Sequence, residues 1–177
     1  IPSPLIMTKA MNAFKKPILA MIEGYCVGGG VATAIACDMR IATKDTKYGI
    51  PAAKLGLAYG FDNLRQLVEL VGPSNAKRIL FTGDLIDADD AHRIGLVDEL
   101  CALDELEDKV LSIADKISAN APLTVLASKE TVKHVLRPEI RDHQKLKEMA
   151  KICFDSDDYR EGREAFMEKR KPEFKGR

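Results

Sequence analysis

Apolar positions change their spacing several times along this chain, and each change marks an element. Ile18 to Ile22 is a short branched run after Lys15-Lys16-Pro17, where proline breaks any helix, so it predicts a buried strand. Gly28-Gly29-Gly30 follows, and Val31 to Cys37 continues in small side chains that suit a tightly packed helix. Met39 to Ala42 predicts a second buried strand, and Lys44 to Tyr48 reads as a polar connection leading to Pro51.

The later spacing is helical. Leu64, Leu67, Val68 and Val71 share one face, as do Ile79 and Leu80, so two amphipathic helices are expected over 63–71 and 76–81. Asp87 or Asp89 is positioned to cap a helix containing Ala91-His92-Arg93 that ends at Gly95, with Leu96-Val97 as a short strand after it. Helical patterns then cover 103–118, 125–136 and 143–151, with breaks at Ala121-Pro122 and Arg137-Pro138.

The chain has 177 residues, 46% of them hydrophobic, enough for a core that needs no staples. Basic and acidic residues number 27 each, so the zero net charge supplies no bulk pull toward nucleic acid or membrane. The cysteines at 26, 37, 101 and 153 form no CxxC pair, which argues against a zinc knuckle or a disulfide framework. No stretch approaches the roughly 20 apolar residues that span a bilayer, and no basic-then-apolar leader opens the chain. A soluble, non-secreted protein in a reducing compartment is expected. Ile1-Pro2-Ser3-Pro4 looks like the middle of a longer protein, so upstream sequence is expected too.

Three glycines between a strand and a helix expose backbone N–H groups where partial positive charge favours a developing oxyanion, although an isolated triplet is also an ordinary tight turn. The spacing is neither a dinucleotide fingerprint nor a Walker loop. The surrounding string Lys16-Pro-Ile-Leu-Ala-Met-Ile-Glu-Gly-Tyr-Cys-Val-Gly-Gly-Gly30, followed by Cys37-Asp38 and Ile41-Ala42, resembles the central signature of the crotonase family, which includes enoyl-CoA hydratases and isomerases. The resemblance continues through Pro51, Leu55-Gly56-Leu57, Val71-Gly72, Leu80 to Gly83, Ala88 to Ala91 and Gly95 to Val97 to the tail 161–172.

What the resemblance implies is an α/β crotonase (ClpP-like) spiral of ββα units with a helical C-terminal extension. Core material would cover 1–118 and a helical trimerisation region 119–177, in a homotrimer or dimer of trimers. It implies an acyl-CoA substrate, no separate cofactor because coenzyme A belongs to the substrate, no nucleic-acid or membrane partner, and a cytoplasmic setting, or the mitochondrial matrix in a eukaryote. The Gly29 N–H matches one oxyanion donor, with the second in an upstream loop. Gly28, Gly30, Ala32, Ala52 and Lys169 fall at substrate-binding positions. The two glutamates with which family hydratases add water fall at Ala32 and Ala52, so efficient hydration is not expected.

The aspartate of dienoyl-CoA isomerases and aroyl dehalogenases falls at Gly60, and Asp62 is expected to cap a helix beside Asn63. Leu55-Gly-Leu-Ala-Tyr59-Gly60 resembles methylmalonyl-CoA decarboxylase, whose active-site tyrosine falls at Tyr59. That hydroxyl either orients a carboxylate or protonates an enolate, or the ring packs in the pocket wall with its hydroxyl satisfied locally. His92, His134 and His143 lack metal-ligand spacing, and surface or partly packed roles are expected with no metal. Lys169 matches a tail lysine that reaches coenzyme A phosphates from a neighbouring subunit, and equally suits a solvated helix end. A non-catalytic coenzyme A-binding scaffold is the competing class.

Overall fold

The computed structural model describes residues 4–177, and the reading of Ile1-Pro2-Ser3 lies outside them. Its residues form two compact units, 4–14 with 18–111 and 15–17 with 112–177. Among the described residues no helix is long and apolar enough to cross a membrane.

The first unit is layered. Helix α1 spans Pro4–Ala13, strand β1 Leu19–Ile22 and strand β2 Tyr25–Val27, and helix α2 Gly29–Ile35 completes a ββα turn. Strands β3 (Met39–Thr43) and β4 (Lys47–Gly49) repeat the pattern, followed by a 3₁₀ turn over Pro51–Leu55 and helix α3 (Phe61–Thr82). β1 pairs in parallel with β3, Leu19 opposite Met39, while β2 pairs in parallel with β4, Val27 opposite Gly49. Each turn therefore adds one strand to each of two sheets, which is the expected spiral of ββα units. Strand β5 (Ile86–Asp87) joins β4 antiparallel, helix α4 follows over Ala88–Arg93, and β6 (Glu99–Cys101) extends the first sheet beside β3.

The central strand β3 carries the core: Ile41 and Ala42 are fully buried, as is Ile50, and Leu67, Val31 and Val97 are nearly so. Burying each large aliphatic side chain contributes about 1.5–3 kcal/mol. Edge strand β1 differs from expectation, because Ile22 is buried while Met21 is 57% exposed. An edge strand has one neighbour, and here its faces are unequally covered.

Three further local expectations change. Lys47 to Tyr48 is strand rather than polar connection, since ladder bonds to β2 and β5 capture it and bury Tyr48. Leu96 and Val97 are buried but not a strand; pairing with β3 begins at Glu99, and Asp98 instead takes the Arg40 N–H on its carboxylate. Asp62 does not occupy the cap, because α3 begins at Phe61 with Gly60 as its N-cap. The two helices expected over 63–71 and 76–81 are both present within α3, separated at Gly72, whose non-helical φ of 74° and ψ of 162° precede Pro73. Asp87, rather than Asp89, caps α4, accepting the Asp90 N–H at 2.8 Å.

Helix α5 (Leu106–Ser118) runs from the first unit into the second, where α6 (Pro122–Leu136), α7 (His143–Asp155) and α8 (Asp157–Glu168) follow. Asp142 and Ser156 cap α7 and α8. His134 is buried, a correction to the surface or partly packed role: its Nδ1 accepts the Asp142 N–H at 3.3 Å at the turn into α7. The tail beyond α8 folds back. Buried Asp158 accepts the Lys175 and Gly176 N–H groups at 2.6 and 2.8 Å, and the Asp157 N–H donates to the Arg177 carbonyl at 2.8 Å.

Candidate functional site

The site begins with the turn between β2 and α2. Gly28 has φ 57° and ψ −112°, a combination that side-chain-bearing residues rarely adopt, so glycine is required by the backbone. Its N–H donates to the Gly49 carbonyl at 2.8 Å, which ties the turn to the end of β4. Its carbonyl accepts the Ala32 N–H at 3.1 Å and the Tyr59 hydroxyl at 2.7 Å.

These bonds orient the next peptide group. A trans peptide holds its C=O and N–H on opposite sides, so a Gly28 carbonyl turned toward Tyr59 and Ala32 turns the Gly29 N–H the other way. Gly29 opens α2, where N–H groups have no intrahelical partner, and it is exposed. A Cβ at Gly29 would meet nothing within 4 Å, and at Gly30 only the Cys26 Sγ at 3.7 Å. Packing against the described residues does not require glycine at 29.

Ala32 is half-buried on α2, and Ala52 is buried in the 3₁₀ turn after Pro51. Neither side chain can hold water or move a proton. Tyr59 is half-buried, its ring packed against the core cluster and its hydroxyl satisfied by the Gly28 carbonyl. Burial, with the neighbouring Cys26 thiol adding to it, raises the Tyr59 pKa, so the phenol is a donor at neutral pH. Burial also pushes the Cys26 thiol up to about 11.

Gly28, Gly29, Gly30, Ala32 and Tyr59 thus share one hydrogen-bonded locality, and Ala52 lies just beyond the Gly49 that anchors it. Lys169 belongs to the second unit, where it ends α8 in a left-handed conformation (φ 55°, ψ 35°) with its side chain exposed. Gly49 is the member that sequence reasoning missed: it sat at the end of a stretch read as connection, and its role as acceptor emerges only from the β2–β4 pairing. Among the described residues no group of three or more His, Cys, Asp or Glu side chains is placed to hold a metal ion. An apolar groove lined by Ala127, Thr131, Cys153, Phe154, Phe166 and Phe174 lies in the second unit and includes none of the candidate site residues.

A sequence model of the family described as enoyl-CoA hydratase/isomerase matches residues 6–177. Crotonyl-CoA hydratase of Syntrophomonas wolfei is 38% identical over 167 residues, 94% of this chain and 64% of that protein. Methylmalonyl-CoA decarboxylase of Escherichia coli is 31% identical over 175 residues, 96% of this chain and 66% of that protein. The crystal structure of an enoyl-CoA hydratase/carnithine racemase from Magnetospirillum magneticum superposes with a TM-score of 0.89 at 34% identity, covering 96% of this chain and 63% of that one. The chain therefore spans just under two thirds of the length of these relatives.

Proposed function

This chain belongs to the enoyl-CoA hydratase/isomerase family, with its crotonase fold, and on that premise we propose that it acts on an acyl-CoA thioester by stabilising the thioester enolate. The Gly29 N–H is the donor this chain supplies to the thioester oxygen. An oxyanion donor acts where charge develops in the transition state, so the same group serves isomerisation, decarboxylation or another lyase step. Coenzyme A enters as part of the substrate, and no separate cofactor is proposed. The assembly proposed is a homotrimer or dimer of trimers in the cytoplasm, with Lys169 serving the coenzyme A phosphates.

The observation that carries the reaction class is the pair Ala32 and Ala52, alanine at both positions where the family's hydratases place glutamate. Losing a positioned acid or base costs on the order of 10²–10⁴ in rate. Efficient crotonyl-CoA hydration is therefore not the proposed activity, although several relatives carry hydratase names.

Decarboxylation is the second reading. Departure of carbon dioxide from a 2-carboxyacyl thioester leaves its bonding electron pair as the enolate, and a solvent proton completes the product, so no carboxylate base is needed to start it. Tyr59 beside the glycine triplet, at the position of the decarboxylase tyrosine, favours this reading. Incubating the intact protein separately with crotonyl-, methylmalonyl- and 3-enoyl-CoA, with mass spectrometry following each thioester, tests both. Turnover of methylmalonyl- or 3-enoyl-CoA supports the proposal. Rapid crotonyl-CoA hydration refutes the role given to Ala32 and Ala52, and binding without turnover favours a scaffold.

A further inference from the structure

The peptide between Gly28 and Gly29 carries glycine on both sides, and added Cβ atoms at either residue would meet nothing within 4 Å. No side chain of its own restrains its rotation. The Ala32 N–H at 3.1 Å holds its carbonyl from within α2, and the Gly28 N–H bond to Gly49 fixes only the preceding peptide. Among the described residues the side chain hydrogen-bonded to this carbonyl is Tyr59, reaching across 31 residues of sequence at 2.7 Å, with its ring packed against the core.

We infer that Tyr59 is a positioning residue whose hydroxyl clamps the Gly28 carbonyl and so sets the plane in which the Gly29 N–H meets the thioester oxygen. The inference rests on the enolate-stabilising reading above and changes the role of the tyrosine within it. The phenolic proton is committed to a backbone carbonyl, which leaves it no proton aimed at substrate. Accepting that bond also polarises the peptide, so its N–H becomes a stronger donor, by about 10–30% per bond in such chains. Burial keeps the phenol protonated across the neutral range, so the clamp persists there.

The test compares wild type, Tyr59→Phe and a protein with 3-fluorotyrosine at 59, each bound to crotonyl-CoA labelled with ¹³C at the thioester carbonyl and read by isotope-edited infrared spectroscopy. Wild type is expected to lower the carbonyl stretch relative to free thioester. Tyr59→Phe keeps the ring, loses at least half of that shift, and lowers kcat about tenfold with KM within twofold, because the donor remains but its aim is lost. The fluorinated protein keeps the hydroxyl and the full shift, which separates loss of the clamp from loss of fold. An unchanged shift in Tyr59→Phe overturns the inference. So does loss of an alkaline limb of the pH–rate profile in Tyr59→Phe, since that marks direct proton transfer to substrate. A wild type that binds the thioester without any shift overturns the enolate-stabilising reading itself.

Discussion

Arg40 and Asp98 meet across 58 residues of sequence, and one carboxylate oxygen of Asp98 takes both the Arg40 Nη2 at 2.8 Å and the Arg40 backbone N–H at 2.7 Å. The guanidinium is 3% exposed, and its Nε and Nη1 donate to the carbonyls of Leu96 and Cys37 at 3.0 and 2.9 Å. One side chain thus fastens the segment before β6 to the start of β3. Arg40→Ala leaves the Leu96 and Cys37 carbonyls without their side-chain donor and Asp98 with the backbone N–H but no guanidinium, and is expected to cost about 3 kcal/mol. Arg40→Lys recovers less than half, because an ammonium cannot span the fork. Urea unfolding of the three proteins measures both differences.

The two glycines of the turn between β2 and α2 are expected to fail differently. Gly28→Ala forces a side chain into positive φ and costs about 1–2 kcal/mol of stability. Gly29→Ala has open space for its Cβ and leaves stability within about 0.5 kcal/mol, while lowering kcat/KM at least tenfold by standing between the N–H and the thioester. Thermal unfolding paired with thioester turnover separates the two.

Gly49 anchors the same turn from the other side. A Cβ there would lie 2.8 Å from the Leu85 Cδ2 and 3.1 Å from the Asp84 carbonyl oxygen, and the backbone contact has little freedom to give. Gly49→Ala is expected to destabilise by about 1–3 kcal/mol and to weaken thioester binding by displacing the acceptor of the Gly28 N–H. Denaturation and equilibrium binding of crotonyl-CoA report the pair of effects.

The tail gives a pH prediction. The Arg170 guanidinium, with the Glu173 N–H adding to it, holds the Glu161 carboxyl at about 2 against an ordinary 4.5. A depressed carboxylate pKa means that the unfolded chain takes up protons first as pH falls. The stabilisation is therefore complete above about 4.5 and is lost as pH drops from there toward about 2. The side-chain ¹³C signal of Glu161 is expected to titrate near the lower value in wild type and to move toward 4.5 in Arg170→Ala. A wild-type midpoint near 4.5 would contradict the ion pair.

Thiol chemistry should discriminate among the cysteines. Burial raises the Cys26 thiol to about 11, and the alkylating agent must also reach a buried sulfur. Iodoacetamide at pH 7.5 is expected to modify the half-buried Cys37 and Cys153 first and to leave Cys26 and buried Cys101 intact in the folded protein. Peptide mapping after timed quenching shows the order.

Local pattern alone determined much of this protein. The apolar run before the glycine triplet, the small residues after it and the 3.6-residue spacing of Leu64, Leu67, Val68 and Val71 yield β1, α2 and α3 because each signal lies within a few turns of chain. The family signature was legible for the same reason, being a string of adjacent residues, and it carried Gly29, Ala32 and Ala52 with it. What local pattern misjudged were elements stabilised from elsewhere. β2 and β4 are three residues each, too short to show alternation, and exist because they pair with each other. Leu96 and Val97 have strand composition, yet the ladder with β3 starts two residues later, at Glu99.

The contact that Tyr59 makes belongs wholly to tertiary structure. Its sequence position was compatible with a proton donor, a carboxylate ligand or a packed ring, because composition says nothing about what a hydroxyl faces. The fold brings it within 2.7 Å of the Gly28 carbonyl. A trans peptide then converts that contact into an orientation for the Gly29 N–H, a relationship between residues 31 positions apart that no periodicity records.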